Sequence, residues 1–176
     1  MGLMLCFFYF YASMLQASIG SVALLLQQDY DINEFQLSII SSTFYLVAGV
    51  PKIPMGILID KFGAKKILIP VMLFTCVGAE IFANVDSFTG FLIARIFMAI
   101  SYSSAFLCAV KVISQYFHPR LYALLIGIIL SMGYLGASFA GGPLSKITLT
   151  YGIHNTYLAL TVIGMVILLI LAIQMD

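Results

Sequence analysis

The sequence contains very few charged residues for its length. Lys, Arg, Asp and Glu together make up 9% of the 176 residues, whereas 62% are hydrophobic. In a soluble domain roughly a quarter of the residues are charged, and a chain of this size cannot bury so much apolar surface within itself. The composition therefore predicts a lipid bilayer as the solvent and excludes an ordinary soluble domain.

Several functional classes are excluded by what else is missing. The formal net charge is only +1, so there is neither a basic patch for a nucleic acid nor an acidic tail for a charged protein. The three cysteines, Cys6, Cys76 and Cys108, lie far apart in apolar runs, which is the spacing of neither a disulfide framework nor a metal site. We expect them to pack as small apolar side chains, and we predict no metal and no cofactor.

The sequence also lacks the motifs of membrane enzymes. Nothing resembles H-E-x-x-H, G-x-S-x-G or a pair of intramembrane aspartates, and the two histidines, His118 and His154, fall in predicted connections on opposite sides of the membrane. A catalytic site needs such groups within reach of one another. The sequence therefore predicts a protein that is not an enzyme.

Six apolar runs are long enough to cross a bilayer, which takes about 20 residues of helix. The first run has no basic segment before it and is too long for a signal peptide, so we expect it to be retained. The fold predicted is an all-α membrane protein whose residues 1–176 form a single six-helix bundle. The predicted spans 1 to 6 cover residues 3–26, 36–59, 66–84, 88–117, 121–142 and 157–174.

The charges of the connections predict the orientation. The connections after spans 2 and 4 contain the basic residues Lys61, Lys65, Lys66 and Arg120. Those after spans 1 and 3 contain acidic residues but no lysine or arginine. Basic connections stay preferentially in the cytoplasm, which places both termini there, with Lys146 after span 5 as the exception. We expect a multi-pass protein of a plasma membrane, the inner membrane of a bacterium.

Small and polar residues recur every three or four positions along three spans, which places them on one face of each helix. Small residues also let helices pack closely in any membrane bundle, so each residue alone has a packing interpretation. Three such faces together favour a polar interior. The residues are Tyr9, Ser13, Gln16 and Gly20 in span 1, Ser38, Ser42, Tyr45, Gly49, Lys52 and Gly56 in span 2, and Gly127, Ser131, Tyr134, Ser138 and Gly141 in span 5.

Lys52 is the most informative of the charges predicted inside the membrane. A charge at the centre of a lipid-facing helix costs roughly 2.5–3.5 kcal/mol or more, so it should face protein or water. Lys52 lies between Pro51 and Pro54, where a helix is expected to kink. Two interpretations stay open: the ammonium lines a solute path and attracts an anionic group, or the side chain extends to the cytoplasmic headgroups.

The other intramembrane charges have simpler interpretations. Glu80 and Arg95 lie near the outer ends of adjacent spans, so we expect a structural ion pair between them, with ion coupling as the alternative role for Arg95. Lys111 lies well round the helix from Arg95 and is expected to extend toward the cytoplasm.

The stretch 56–66, Gly-Ile-Leu-Ile-Asp-Lys-Phe-Gly-Ala-Lys-Lys, resembles the signature loop G-x-L-x-D-R-x-G-R-R/K of the major facilitator superfamily, which joins the second and third helices of that family. It falls at the same place here. Lysine lacks the planar fork of arginine, so bidentate pairing is lost at Lys61. Gly56, Leu58, Asp60 and Gly63 match, Lys61 and Lys65 keep the charge, and Ala64 departs from the pattern.

Two weaker similarities follow. Arg95 matches the arginine of the family's fourth-helix pattern R-x-x-x-G, although Ala99 replaces the glycine. Gly142-Pro143 matches only the start of the Gly-Pro-x-x-Gly-Gly ending of the family's proton antiporters, and the departure argues against proton antiport.

The resemblance covers all six spans and implies the N-terminal half of such a transporter, itself two inverted three-helix repeats. It implies secondary active transport of a small solute by alternating access, with or without a coupling ion. By the same resemblance the substrate path is lined by Tyr9, Gln16, Tyr45, Lys52, Arg95 and Tyr134, and the gating loop consists of Gly56, Asp60, Lys61, Gly63 and Lys65.

The family normally has twelve helices, so the C-terminal six-helix half is expected to be absent from this chain. A fragment, a truncated product, and a half that pairs with itself or with another chain all remain open. Half a transporter alone is expected not to transport. The rival function is a non-transporting membrane scaffold or interaction subunit, and the retained Asp60 loop with Lys52 and Arg95 argues against it. Lys52 favours an organic anion as the solute.

Overall fold

The computed structural model describes the backbone of residues 2–175, and the side chains of residues 4–173 apart from that of Lys65. All regular elements within these residues are helical, which confirms the predicted fold class. The α-helices are α1 (Gly2–Ala17), α2 (Ile19–Asp29), α3 (Glu34–Gly49), α4 (Lys52–Phe62), α5 (Ala64–Asn84), α6 (Phe88–Tyr116), α7 (Tyr122–Phe139) and α8 (Ser145–Met175); a 3-10 turn, Pro119–Leu121, precedes α7 and a π-helical turn, Ala140–Leu144, joins α7 to α8.

These helices form six membrane-crossing units. Met4–Asp29, Lys66–Asn84 and Phe88–Tyr116 are each long and apolar enough to cross, and the bent pair α3 and α4 forms another crossing. The remaining stretch, Pro119–Ile173, has 55 residues; at about 1.5 Å per residue it is far longer than the roughly 30 Å of hydrocarbon. Gly152, with φ 80° and ψ 168°, divides it into two crossings.

Span 1 is interrupted in the middle of the membrane. Helix α1 ends at Ala17 and α2 begins at Ile19. The Ser18 Oγ donates to the Leu15 carbonyl at 2.7 Å and shares a 2.6 Å hydrogen bond with the Tyr157 hydroxyl. The interruption therefore presents backbone carbonyls and a hydroxyl inside the bundle, where they need polar partners.

Span 2 is bent by 43° between α3 and α4, as the prolines predicted. Pro51 and Pro54 have no N–H to donate to the preceding turn, and the Met55 N–H restarts the ladder at the Pro51 carbonyl with a 2.8 Å bond. Lys52 is the first residue of the helix beyond the bend.

The predicted end of span 5 at Gly142 and start of span 6 at Tyr157 are wrong. The helix passes Pro143 through the π-helical turn and continues to Gly152. A π turn widens the backbone, and the Ala140 carbonyl accepts a hydrogen bond from the Ser21 hydroxyl of span 1. The connection is the kink at Gly152, so Lys146 lies in the helix of span 5 and His154 in that of span 6.

The spans pack in two layers. Span 1 packs against spans 4 and 5, and span 4 also packs against span 2, so spans 2, 4, 1 and 5 form one layer. Span 3 packs against spans 4 and 6, and span 6 also packs against α2, which places spans 3 and 6 in a second layer behind the first. The first layer therefore has one face that no other described span covers.

The connections alternate between the two ends of the bundle. At one end the Lys111 side chain of span 4 meets Asp60 of the connection after span 2, at 2.6 Å. At the other end the ring of Tyr30, after span 1, packs on Phe91 of span 4. Burial raises the pKa of the Tyr30 phenol, and the nearby carboxylates of Asp86 and Asp29 raise it further. This alternation is what successive crossings require.

Candidate functional site

The uncovered face carries the small and polar residues that the sequence placed on spans 2 and 5. Tyr45 is 62% exposed and Tyr134 is 74% exposed. Hydrocarbon offers no hydrogen-bond partners to such side chains, so water or protein must cover them. Also exposed are Ser38, Ser42, Gly49 and Lys52 of span 2 and Gly127, Ser131, Ser138 and Gly141 of span 5.

A cavity of about 250 Å³ opens between spans 1, 4 and 5. The structure brings three of the predicted lining residues together here, Tyr9, Gln16 and Tyr134, and the Gln16 Nε2 donates to the Tyr45 hydroxyl at 3.1 Å. Four predicted residues therefore form one continuous polar region. The cavity is lined by Tyr9, Ser13, Gln16, Tyr102, Gly133 and Tyr134, with Leu130 and Ala137.

Aromatic packing and a glycine fix the position of Tyr9. Its ring stacks on Tyr102, with centroids 5.9 Å apart and planes 19° apart, and lies 5.6 Å from the Phe106 ring. On the other side it meets Gly133, where an added Cβ would lie 2.5 Å from the Tyr9 Cε1. A side chain at position 133 would therefore displace the tyrosine.

Tyr102 and Gly133 are cavity residues that sequence reasoning missed, and Ser13 was placed on the polar face without a role. The available signal was the spacing of Tyr102, which is seven positions after Arg95 and thus on nearly the same side of span 4.

The Ser13 Oγ is buried and has no hydrogen-bond partner among the described residues. An unpaired buried hydroxyl costs about 1–3 kcal/mol, so it requires an explanation.

Arg95 lies wholly inside the bundle, with 0% exposure. Its Nη1 donates to the Leu15 carbonyl at 2.9 Å and its Nη2 to the Gln16 carbonyl at 3.0 Å. The guanidinium carbon lies 4.3 Å from the centroid of the Phe44 ring, and the Nε has no partner among the described residues. The arginine thus binds the carbonyl end of α1, where a cation is favoured. Its side chain does not reach the exposed face, and its role in the substrate path stays a prediction.

The predicted ion pair between Glu80 and Arg95 is wrong. Glu80 is exposed and accepts a 3.0 Å hydrogen bond from the Asn84 side chain on its own helix. Span 4 contacts span 3 through Ala94 and Met98, which approach Gly78 closely. Because adjacent helical positions differ by about 100°, Arg95 points away from span 3, toward span 1.

Lys111 extends toward the end of the bundle that carries the connection after span 2, the end expected to be cytoplasmic, and there it binds a carboxylate. Its Nζ lies 2.6 Å from the Asp60 Oδ1, and the two side chains are 32% and 68% exposed. The signature loop is thereby joined to span 4.

The other predicted gating residues lie in or next to α4. Gly63, with φ 86°, forms the turn between α4 and α5. Gly56 lies within α4, the Lys61 Nζ lies 5.4 Å from the Phe62 ring, and the side chain of Lys65 lies outside the described residues.

Lys52 differs from both cations of span 4. It is exposed at the bend of span 2, and no hydrogen bond or ion pair involves its ammonium within the part of the chain that the structure describes. It is therefore free to meet a group from outside the bundle. Its role as a lining residue stays a prediction.

Six crossing helices in two layers, with a polar cavity in the first layer, define a multi-pass membrane protein. The sequence profile of the Major Facilitator Superfamily matches residues 5–175. The chain belongs to the major facilitator superfamily.

Two curated relatives agree with this assignment. The chain is 26% identical over 163 residues to a probable L-galactonate transporter of Escherichia coli, and the match covers 92% of this chain and 36% of that protein. It is 25% identical over 113 residues to the nitrate/nitrite transporter NrtP of Picosynechococcus, covering 64% of this chain and 21% of that protein. The chain thus spans about a third or less of the length of these relatives.

Proposed function

We propose that this chain is the N-terminal six-helix bundle of a secondary transporter, which moves a small solute across a membrane by alternating access. The observation that carries the proposal is the uncovered polar face, with a cavity that joins Tyr9, Gln16 and Tyr134 and a hydrogen bond from Gln16 to Tyr45 beside it. A bundle that only had to be stable in lipid would not expose these groups.

The solute we propose is an anion. Lys52 supplies a positive charge on the open face, and no described residue neutralises it. The names of both relatives refer to anions, galactonate in one and nitrate or nitrite in the other. An unpaired cation on a surface bordered by apolar protein attracts anions.

The partner we propose is a second six-helix bundle, either a continuation of this chain or another chain. The residues that line the cavity come from spans 1, 4 and 5, and polar residues of spans 2 and 5 are exposed on the same layer. A second bundle on that face would close the solute path and cover the exposed polar groups. In this arrangement Arg95 lies behind the cavity wall and acts through span 1.

The connection after span 2 is the proposed gating element. The Asp60 carboxylate already binds Lys111, and its side chain is 68% exposed, so it is accessible to a group of the second bundle, as is the exposed Lys61. We assign Lys65, in the same connection, to the gating element as well. The Asp60 carboxylate could bind Lys111 in one conformation and a group of the second bundle in the other. The conformation with the stronger of these two contacts would then be favoured. The basic connections at this end favour a cytoplasmic location for it and for both termini, and the relatives come from bacteria, which favours the inner membrane of a bacterium.

Uptake into proteoliposomes tests the proposal. The coding sequence beyond codon 176 is first searched for further apolar runs, and the chain is then reconstituted with and without the second bundle so identified. We expect uptake driven by an ion or solute gradient only when both bundles are present. Binding of a partner with no gradient-driven uptake of any anion would favour the scaffold and contradict the transporter.

A further inference from the structure

The cavity between spans 1, 4 and 5 is unusual for an anion site because no charged side chain lines it. Its polar groups are the hydroxyls of Tyr9, Ser13, Tyr102 and Tyr134 and the amide of Gln16. Hydroxyl and amide groups both donate and accept hydrogen bonds. They therefore match a solute group that does the same, and they offer no counter-charge to a carboxylate or an ammonium.

A second observation points to a ligand in this cavity. Ser13 is 2% exposed and its buried hydroxyl has no partner among the described residues, although hydroxyl groups in helices often bind the carbonyl of the preceding turn. Ser38, Ser41 and Ser104 do so in this chain, at 2.9 Å in each case. Ser13 lines the cavity, so its hydroxyl is available to a molecule that enters it.

The walls of the cavity suit a carbon chain that carries hydroxyl groups. The stacked rings of Tyr9 and Tyr102 form one wall, and Leu130 and Ala137 contribute apolar surface. Aromatic faces pack against C–H groups while the hydroxyls at their edges bind polar atoms. The volume of about 250 Å³ is below that of most sites that enclose a drug-sized ligand, roughly 300–1,000 Å³, so only part of a solute fits here.

We propose that this cavity binds the uncharged, hydroxyl-bearing part of the transported anion, so that the substrate is a hydroxylated organic acid and not a bare oxyanion. The proposal rests on the proposed function, which supplies the anion. The charged group of the solute remains on the open face, where Lys52 lies, and the hydroxylated carbons enter between spans 1 and 4.

Saturation-transfer NMR with the full chain in lipid nanodiscs tests this proposal, because the method detects weak binding. The probes are glucitol, an uncharged polyol, gluconate, its carboxylate analogue, and adipate, which has as many carbon atoms as gluconate but no hydroxyl group. We expect glucitol and gluconate to bind and to compete with each other, with saturation transferred to the protons on their hydroxyl-bearing carbons. We expect adipate to bind much more weakly. Adipate binding as tight as that of gluconate, or no binding of either polyol, overturns the proposal.

Ser103 provides a matched control variant. Its Oγ is also buried and has no partner among the described residues, but Ser103 does not line this cavity. Neither Ser13→Ala nor Ser103→Ala removes a hydrogen bond within the bundle, so both variants should fold. We expect S13A to weaken gluconate and glucitol binding roughly 3- to 10-fold, the effect of one hydrogen bond, and S103A to leave it unchanged. Equal effects of the two variants contradict the proposal.

Uptake measurements separate this inference from the proposed function. Gradient-driven uptake of adipate without uptake of gluconate would leave the transporter in place and overturn the substrate class. Ser13-dependent binding of the polyols without gradient-driven uptake of any solute by the two-bundle assembly would instead overturn transport and leave the cavity as a binding site.

Discussion

Arg95 and Lys111 belong to the same helix, yet they are held in opposite ways. Arg95 is fully buried and binds two backbone carbonyls of span 1, whereas Lys111 is about one third exposed and binds the Asp60 carboxylate of a connection. A backbone carbonyl cannot leave without unfolding its helix, but a carboxylate on a connection can exchange its partner. We therefore interpret Arg95 as a fixed structural contact and Lys111 as part of a contact that can open.

Lys52 extends the comparison to a third case. It is exposed on the open face of span 2, and the described residues provide it with no partner. The three cations thus differ in how many hydrogen bonds and ion pairs they form within the bundle. A cation that forms few of them remains available to bind a solute or a second bundle.

The largest effect is expected at Lys52. Lys52→Ala removes from the open face a cation without a partner among the described residues, and we expect uptake of the anionic solute by the two-bundle assembly to fall roughly 10- to 100-fold, without loss of membrane expression. Radiolabelled uptake with quantified membrane protein measures this. Lys146→Ala is the matched control, since Lys146 is also exposed but lies in span 5 shortly before the kink at Gly152. Normal uptake by K52A would remove Lys52 from the solute path.

A smaller effect, on stability, is expected at Arg95. Arg95→Met keeps an unbranched, flexible side chain, shorter than that of arginine, but leaves the Leu15 and Gln16 carbonyls short of donors, and it removes the guanidinium from the Phe44 ring. We expect the free energy of unfolding in detergent to fall by about 2–4 kcal/mol. Glu80→Gln is the control and should change it by less than about 0.5 kcal/mol. Equal losses in the two variants would indicate that Glu80 supports Arg95 after all.

The smallest effect is expected at the Asp60–Lys111 pair. A double-mutant cycle with Asp60→Asn and Lys111→Met should give a coupling free energy of about 0.2–1 kcal/mol, because both side chains are partly exposed. The coupling should decrease as salt is added, whereas the effect of Arg95→Met should not. A salt-independent coupling above about 2 kcal/mol would mean that this contact is as fixed as that of Arg95, and the comparison between the two cations would fail.

Much of the helix pattern could be predicted from the sequence, because crossing a bilayer requires a minimum apolar length. Span 4 was placed at 88–117 and α6 is Phe88–Tyr116; the bend at Pro51 was also expected. The end of span 5 was not, since Gly142-Pro143 has the composition of a helix end, and only the π-helical turn and its contact with Ser21 show that the helix continues.

The partners of the charged residues were the least predictable part of the site. The Lys111 partner lies 51 positions away, and the Arg95 partners are carbonyls, which every residue has and no sequence pattern distinguishes. The polar faces of spans 1, 2 and 5 were more accessible to prediction, because helical spacing alone defines them. Ser13 was on such a face, but its missing hydrogen bond could be seen only in the structure.

The central claim is that the face of spans 2 and 5 meets water or a second bundle, and not lipid. Single cysteines at Ser42 and Ser138 on this face, and at Leu73 and Ile163 on spans 3 and 6, are introduced into the chain after Cys6, Cys76 and Cys108 have been replaced by alanine. The rate of reaction with a water-soluble, membrane-impermeant thiol reagent is then measured in membranes. We predict that the cysteines at Ser42 and Ser138 react at least about tenfold faster, since thiolate formation needs water. Equal rates at all positions, or faster reaction at Leu73 and Ile163, would contradict the account.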